Sequence, residues 1–212
     1  MLYHFGAARI SCLAAVVLFP LMIHAEVPVG WRLRGDDTSL KGCELATDMS
    51  TKHSGRRSMR MTCAGLPVPK SRSLNQSVRA DDYRGQRVRL SGWIKPSQVD
   101  TRLLLWMRVD SADSILAFDN NYRRPVQGSG DWEKRDVVLD VPQGATLITF
   151  GLLLHDSGTV WADDLTLERV GTDVPSTNIL AAEKPSNSDR RERHARIYAF
   201  SPKQPVNLDF EK

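Results

Sequence analysis

Residues 87–95, RVRLSGWIK, decide the fold class because apolar and polar side chains alternate along them. One side of this stretch carries Val88, Leu90, Gly92 and Ile94, and the other carries Arg87, Arg89, Ser91, Trp93 and Lys95. Successive side chains of a β-strand point to opposite faces, so a period of two gives one face to a core and the other to solvent. The pattern predicts a strand that is buried on one side.

Similar runs recur along the following 75 or so residues. They lie at 103–110, 135–141, 146–155 and 159–170, and residues typical of turns separate them. No sustained helical stripe crosses this region. Short period-two runs divided by turns predict an all-β fold, an antiparallel sandwich or barrel.

The first 25 residues have the features of an export signal. The first nine residues carry one fixed charge, that of Arg9, and the apolar run ISCLAAVVLFPLMI follows them. A small residue, Ala25, ends the segment. A membrane span needs about 20 apolar residues, and this run is shorter, so we expect cleavage after Ala25. An uncleaved anchor is the alternative. Cleavage predicts an exported protein, periplasmic or secreted, whose mature chain has no stable membrane span.

Two cysteines, Cys43 and Cys63, belong to the expected mature chain. The stretches CELATDM (43–49) and RSMRMTC (57–63) flank a turn, and a hairpin centred on His53 places the cysteines opposite each other. In an oxidising compartment, an even pair at this spacing predicts a disulfide. Two buried thiols are the alternative.

Charge gives little support for a nucleic-acid partner. The chain has 29 Lys and Arg against 25 Asp and Glu, a formal net charge of +4. Its basic residues are interleaved with acids, which is typical of a solvated surface. We therefore expect no nucleic-acid binding.

The character of the sequence changes at Gly171. Residues 171–204 are polar and contain several prolines without a clean periodicity, which is typical of a linker or a wrapping arm. The final PVNLDFEK (205–212) is strand-like again. The domain prediction is therefore a signal peptide at 1–25, a sandwich domain at 26–170, this arm, and a docked strand at 205–212.

Two explanations account for a strand-like segment at 205–212. One is a truncated second copy of the domain, because a duplicated gene cut just after its second start would end in this way. The other is docking beside Trp31, since the first and last strands of a sandwich meet at the surface. About 35 linker residues are long enough to span a small domain, so geometry permits this return.

Several short motifs appear in order along the chain: Tyr-Arg-Gly (83–85), Trp-Met-Arg-Val-Asp (106–110), Phe-Asp-Asn (118–120), Asp-Trp (131–132) and Asp-Asp-Leu (163–165). With them, residues 30–175 resemble a bacterial jelly-roll module of the galactose-binding-like superfold, similar to carbohydrate-binding modules. The resemblance implies an antiparallel jelly-roll β-sandwich. Some look-alike modules belong to proteins described as transcription regulators, but this chain shows no helix-turn-helix pattern.

The same resemblance implies a structural calcium ion. In sugar-binding jelly rolls, an Asp of the last strand and a Glu of the opening strand commonly hold Ca²⁺, here Asp163 and Glu211, with carbonyl groups of 53–55 completing the shell. Period-two alternation places Asp163 on the core side of its strand, where a carboxylate needs a partner. Hydrogen bonds from loop amides to Asp163 or Asp164 are the alternative.

Aromatic and arginine side chains on the solvent sides of two strands indicate a ligand site. The candidate ligand-binding residues are Arg89, Trp93, Trp106 and Arg108, with Asp119, Asn120 and Arg124 at the rim. If the two strands are neighbours, rings for stacking and polar groups for hydroxyls come together, as sugar binding requires. The alternative is that one tryptophan belongs to the core and the arginines cover the surface.

The residues favour recognition over catalysis. No Gly-x-Ser-x-Gly elbow occurs, and adjacent acids on a strand point to opposite faces, so they form no acid–base pair. We therefore expect an exported module that is not an enzyme and binds carbohydrate or a small polar ligand. The alternatives are an envelope accessory protein that binds another protein through its face or strand edge, and a ligand-sensing module.

Overall fold

The computed structural model describes residues 27–36, 40–68, 70–181, 184–185 and 188–212. The predicted signal peptide and its cleavage point lie outside these residues. Within them, two antiparallel β-sheets enclose one apolar core. The fold is the predicted all-β jelly-roll sandwich.

Twelve strands form the two sheets within the described part of the chain. In spatial order, the seven-stranded sheet contains β1 (Arg32–Arg34), β4 (Ser71–Arg79), β10 (Leu147–His155), β6 (Val99–Asp110), β7 (Ser114–Asp119) and β12 (Lys184–Pro185), with β8 (Val126–Gly128) paired to β6. The five-stranded sheet contains β2 (Cys43–Asp48), β3 (Ser58–Cys63), β11 (Gly158–Val170), β5 (Arg87–Ser97) and β9 (Glu133–Asp140).

Alternating side chains build the core from both sheets. Val88, Leu90 and Ile94 of β5 are buried, as are Leu105 and Met107 of β6. Burial of such apolar surface is the main favourable term in folding. The strands predicted from their period of two are confirmed.

The first hairpin also forms as predicted. Strands β2 and β3 pair with Cys43 opposite Cys63, and the two cysteines form a disulfide. The bond joins neighbouring strands at the end that is remote from the turn. It closes a loop with a sequence separation of 20 residues, which limits the freedom of the unfolded chain.

Strand β11 breaks the alternation that the sequence suggested. Its pairing with β5 shifts by one residue just after Asp163, which is a β-bulge. Val160 and Ala162 face the core before the bulge and Leu165 faces it afterwards, so Asp163 lies on the outer face beside its register partner Trp93. The prediction that Asp163 points into the core is wrong, because it assumed an unbroken period of two.

The arm after β11 follows the sandwich and then forms a helix. The amide of Thr177 donates to the carbonyl of Val138 in β9 at 2.8 Å, and that of Ile179 donates to Phe118 in β7 at 2.9 Å. Helix α1 (Ser188–Phe200) comes next. The expectation of an irregular arm missed α1 because its sequence, SDRRERHARIYAF, lacks a broad apolar stripe. No helix in the described part of the chain has the length and apolar character of a membrane span.

Residues 205–212 return to the sandwich at Trp31. Phe210 is fully buried with its ring centroid 5.2 Å from that of Trp31, and Trp31 Nε1 donates to the carbonyl of Asn207 at 3.0 Å. The side-chain amide of Gln76 bonds both the N–H and the carbonyl of Val206, at 2.7 and 2.8 Å. The predicted strand does not form, because positive φ angles at Asn207 (52°) and Phe210 (56°) turn the chain.

We expect Phe210→Ala to lower the free energy of unfolding by roughly 3 kcal/mol, because it leaves a cavity beside Trp31. Urea denaturation followed by tryptophan fluorescence measures this change. The matched control is Phe200→Ala, since Phe200 is 76% exposed and its removal should alter stability by less than about 0.5 kcal/mol. Equal stability of the Phe210→Ala variant and the wild type would contradict this role for the segment.

Candidate functional site

The four residues predicted to form one patch lie on opposite faces of the sandwich. Arg89 and Trp93 belong to β5 of the five-stranded sheet, whereas Trp106 and Arg108 belong to β6 of the seven-stranded sheet. Both pairs alternate with core residues, so both point outward. The prediction of a single patch is wrong, because the chain passes from one sheet to the other between β5 and β6.

The three predicted rim residues shape the turn that follows β7. The Oδ1 atoms of Asp119 and Asn120 each accept the amide N–H two residues further along, at 2.9 and 3.2 Å. Arg124 forms an ion pair with Asp136 of β9, with 3.6 Å between nitrogen and oxygen. None of the three lines the clefts described below.

Trp93 belongs to a closed aromatic cluster. The imidazole of His53 stacks on it with centroids 4.0 Å apart and an interplanar angle of 15°. Trp132 approaches His53 edge-on at 5.8 Å, and His53 Nδ1 lies 2.8 Å from Asp164 Oδ2. A sugar stacks on an open ring face, and His53 covers one face of Trp93.

Four cations on this side of the sandwich are paired with carboxylates. Four pairs have nitrogen–oxygen distances of 3.3 Å or less: Arg60 with Glu44, Arg87 with Asp140, Arg89 with Glu168, and Lys95 with Asp131. Solvent screens exposed pairs of this kind, so each contributes little to stability. Their effect is a balanced outer face on the five-stranded sheet.

Asp163 is buried under the β2–β3 loop and bound by backbone amides. Its Oδ2 accepts the N–H groups of His53 at 2.8 Å and Ser54 at 3.1 Å, and its Oδ1 accepts that of Asp164 at 2.8 Å. Burial raises the pKa of Asp163 above its usual value, and the amide bonds oppose this rise. The carboxylate therefore fixes the loop that covers it.

Glu211 binds the same loop from the C-terminal segment. Its Oε1 accepts the amides of Arg56 at 2.7 Å and Arg57 at 3.2 Å, and Arg56 Nε donates to Oε2 at 3.3 Å. The hydrogen bond from the Arg56 amide is the main cause that holds the pKa of Glu211 below its ordinary value of 4.5.

These contacts do not fit a calcium ion. Ca²⁺ takes six to eight oxygen ligands at about 2.3–2.6 Å, whereas N–H groups occupy the carboxylate oxygens of Asp163 and Glu211. The guanidinium of Arg56 adds positive charge beside Glu211. Across the described ranges, no group of three or more His, Cys, Asp or Glu is arranged to hold a metal. Bonding by loop amides, the alternative from the sequence, accounts for the contacts of Asp163.

The outer face of the seven-stranded sheet forms the floor of a cleft of about 870 Å³, the binding cleft. One row of register partners crosses this face: Arg32, Asn75, Gly151 and Trp106. Gly151 must lack a side chain, because a Cβ there would lie 2.0 Å from the carbonyl oxygen of Leu74. The row therefore leads from a guanidinium and an amide to an indole, and the position next to the indole carries no side chain.

The next row supplies hydroxyl groups and a second guanidinium. Ser77, Thr149 and Arg108 are register partners across β4, β10 and β6, and the hydroxyl oxygens of Ser77 and Thr149 are 2.9 Å apart. Trp106 is half-buried, and its Nε1 donates to the hydroxyl of Ser73 at 3.2 Å, which fixes the ring. The opposite wall contains Arg193, Arg196, Ile197, Phe200, Ser201 and Pro202.

A smaller pocket of about 300 Å³ adjoins the binding cleft where α1 meets the sheet. Asp110 accepts Arg108 Nε at 2.9 Å and also bonds Arg190 of α1. His194 Nε2 lies 2.9 Å from the hydroxyl of Thr146, and burial is the main cause that lowers the pKa of His194. These contacts hold α1 against the sheet.

Four arginines of the binding cleft escaped the sequence analysis. Arg32 and Arg34 are two residues apart on a strand, a spacing that places both on one face, and WRLRG carries that signal. Arg193 and Arg196 are three apart on α1, a helical spacing. Their meeting with Trp106 depends on where the arm docks, for which the sequence contains no pattern.

Comparison with known proteins identifies a relative in sequence and solved structures of similar fold. No family model matches the chain. The uncharacterized HTH-type transcriptional regulator YbfP of Bacillus subtilis is 36% identical over 185 residues, which are 86% of this chain and 57% of that protein. The chain thus spans little more than half the length of this relative.

Solved structures similar to the chain include β-sandwich domains. The enzymatically active domain of tailspike protein 4 of bacteriophage CBA120 matches with a TM-score of 0.53 and 14% identity, over 69% of this chain and 20% of that one. The CBM22-1 xylan-binding domain of Paenibacillus barcinonensis Xyn10C has a TM-score of 0.48 and 17% identity, over 70% and 91%. The first of these likenesses supports the fold.

We expect chelation to leave the melting temperature unchanged, because amides already bind the carboxylates of Asp163 and Glu211. Differential scanning calorimetry of the whole chain with excess EDTA, and then with added Ca²⁺, measures this. A fall in melting temperature with EDTA that Ca²⁺ alone restores would reinstate the predicted calcium site.

We expect Glu211→Gln to destabilise the protein at neutral pH and to do so less in acid. The folded-state pKa of Glu211 is lowered, so its carboxylate contributes stability above the unfolded pKa, near 4.5, and this contribution is lost as the pH falls through the folded value. Urea denaturation at neutral and acidic pH measures the difference between variant and wild type. Glu192→Gln, an exposed helix position, is the control. A difference that does not change with pH would contradict this role.

Proposed function

We propose that the chain is a non-catalytic carbohydrate-binding module whose site is the binding cleft. The observation that carries the proposal is Trp106, whose indole forms part of the floor and whose register partner, Gly151, has no side chain to cover it. Sugars present C–H faces that stack on such a ring, and their hydroxyls need placed polar groups.

The surroundings of Trp106 supply those polar groups in fixed positions. Asn75 offers an amide, Ser77 and Thr149 offer hydroxyls, and Arg108 offers a guanidinium. All four lie on paired strands, whose register fixes their spacing better than a loop would. The cleft volume is within the range of about 300–1,000 Å³ that small-ligand sites occupy. The floor is thus a preformed sugar platform.

The charge arrangement favours binding over hydrolysis. Enzymes that hydrolyse glycosides generally use two carboxyl groups flanking the bond. The carboxylate that borders the cleft, Asp110, is bound to both Arg108 and Arg190. In that role it holds α1 against the sheet.

A second candidate function is ligand sensing, which the identity to a protein described as a transcription regulator favours. A helix-turn-helix needs two helices joined by a short turn. The described residues of this chain have α1 alone at that length. In this alternative the sandwich is the part that recognises the ligand, and the same cleft holds it.

The accessory-protein hypothesis has weaker support at one sheet edge. Exchange of a strand requires exposed backbone groups at the edge of a sheet. At β9, the edge strand of the five-stranded sheet, Thr177 of the arm already bonds Val138 through backbone and hydroxyl groups. This edge is therefore partly covered from within the chain.

We expect Trp106→Ala to weaken binding of the best-bound oligosaccharide by about tenfold or more, or about 1.4 kcal/mol, through the loss of ring stacking. A glycan array selects the oligosaccharide, and isothermal titration calorimetry measures its affinity. Trp161→Ala is the matched control, because Trp161 is a half-buried tryptophan on the opposite sheet that bonds Asp48. Loss of binding in Trp93→Ala with none in Trp106→Ala would place the site on the other face, and absence of binding to any glycan would contradict the proposal.

A further inference from the structure

The binding cleft carries more positive charge than a neutral sugar requires. Five arginines line it: Arg32, Arg34, Arg108, Arg193 and Arg196. The described residues that line it include no carboxylate. The formal net charge of all 212 residues is only +4, so the five arginines of this one cleft carry more positive charge than the net excess of the whole chain.

Four of the five guanidinium groups have no partner among the described residues. No hydrogen bond or ion pair joins Arg32, Arg34, Arg193 or Arg196 to any residue that the structure describes. On the opposite sheet, by contrast, several arginines and lysines have carboxylate partners, as Arg89 has in Glu168. The cleft thus brings together arginines with no carboxylate among its described lining residues.

The unpartnered arginines face one another from two sides. Arg32 and Arg34 share the outer face of β1, at one edge of the sheet. Arg193 and Arg196 share one face of α1, which forms the opposing wall. Contacts of Asp110 with Arg190 fix α1 in this position. Like charges gathered around one cleft repel, and an anion between them offsets that repulsion.

Resting on the proposed sugar site, we propose that the ligand is an acidic oligosaccharide whose rings bear carboxylates, as uronic acids do. Guanidinium groups bind carboxylates through two parallel N–H···O bonds, and such bonds are stronger than neutral ones. A cleft with one sign of charge also concentrates anions near it. Trp106 accounts for the sugar ring, and the arginines on the two walls account for its acidic substituent.

The test compares acidic and neutral oligosaccharides of equal length on the whole chain. The acidic probes are hexamers of galacturonate and mannuronate and a hyaluronan hexasaccharide, and the neutral probes are cellohexaose, xylohexaose and fully methyl-esterified hexagalacturonate. Calorimetry at about 20 mM salt should show at least one acidic probe binding about tenfold tighter than every neutral probe. At about 0.5 M salt this advantage should largely disappear, since the Debye length falls.

Variants on one helix assign the effect to the cleft. Arg193→Gln/Arg196→Gln should lose about tenfold or more in affinity for the acidic probe. Arg191→Gln is the matched control, because Arg191 lies on the same helix but pairs with Asp113 at 2.7 Å. It should bind like the wild type, and thermal melting confirms that each variant is folded.

The possible failures are distinguishable. Equal affinity for acidic and neutral probes, with sensitivity to Trp106→Ala, would overturn the acidic ligand and keep the sugar site. Binding of dextran sulfate without any of the carboxylate probes would overturn the carboxylate assignment. Binding of oligothymidylate as tightly as the acidic sugars would indicate recognition of charge alone and overturn the sugar site. No binding to any probe would overturn both proposals.

Discussion

The contact of Trp31 with Phe150 and Phe210 is the interaction on which the rest of the arrangement depends. Phe150 belongs to β10 of the seven-stranded sheet, and its ring packs edge-on against Trp31 with the centroids 6.0 Å apart. Phe210 comes from the C-terminal segment. A buried indole needs an acceptor for its N–H, and the carbonyl of Asn207 supplies it. Because the chain is anchored at this point, the preceding Pro202 meets Arg79 of β4, and α1 is held over the seven-stranded sheet. The wall of the binding cleft is therefore a consequence of tail docking.

The same anchor organises the β2–β3 loop. Past Phe210, Glu211 binds amides of the β2–β3 loop, and that loop closes over Asp163. Burial disfavours the ionised form of Asp163, and the backbone amides offset part of that cost. The β-bulge in β11 turns the amide of Leu165 outward, where it donates to the carbonyl of Leu208 at 3.0 Å. The bulge is thus the place where the segment joins the sheet.

Sequence periodicity predicts the strands well because it reports burial directly. The alternation around Leu90 and Leu105 identified their core faces, and the spacing of the cysteines about His53 identified a hairpin register. Periodicity cannot tell which sheet a strand joins, so Trp93 and Trp106 were assigned to one patch. It also cannot reveal a β-bulge, because the extra residue after Asp163 shifts the pairing of β11 with β5 and leaves no mark in the residue types. Helix α1 escaped because docked contacts, more than an apolar stripe, hold it.

The two outer faces of the sandwich show how one fold can keep structural and binding tasks apart. On the five-stranded sheet, charges are paired and an imidazole covers Trp93, so few groups there are left to bind a ligand. On the seven-stranded sheet, small and hydroxylated residues such as Ser77 and Thr149 leave Trp106 accessible beside Gly151. Strand register fixes this floor, whereas the tail positions the arginines of the wall. In the proposed site, the stacking ring thus belongs to β6, whereas the arginines come from β1, β6 and α1.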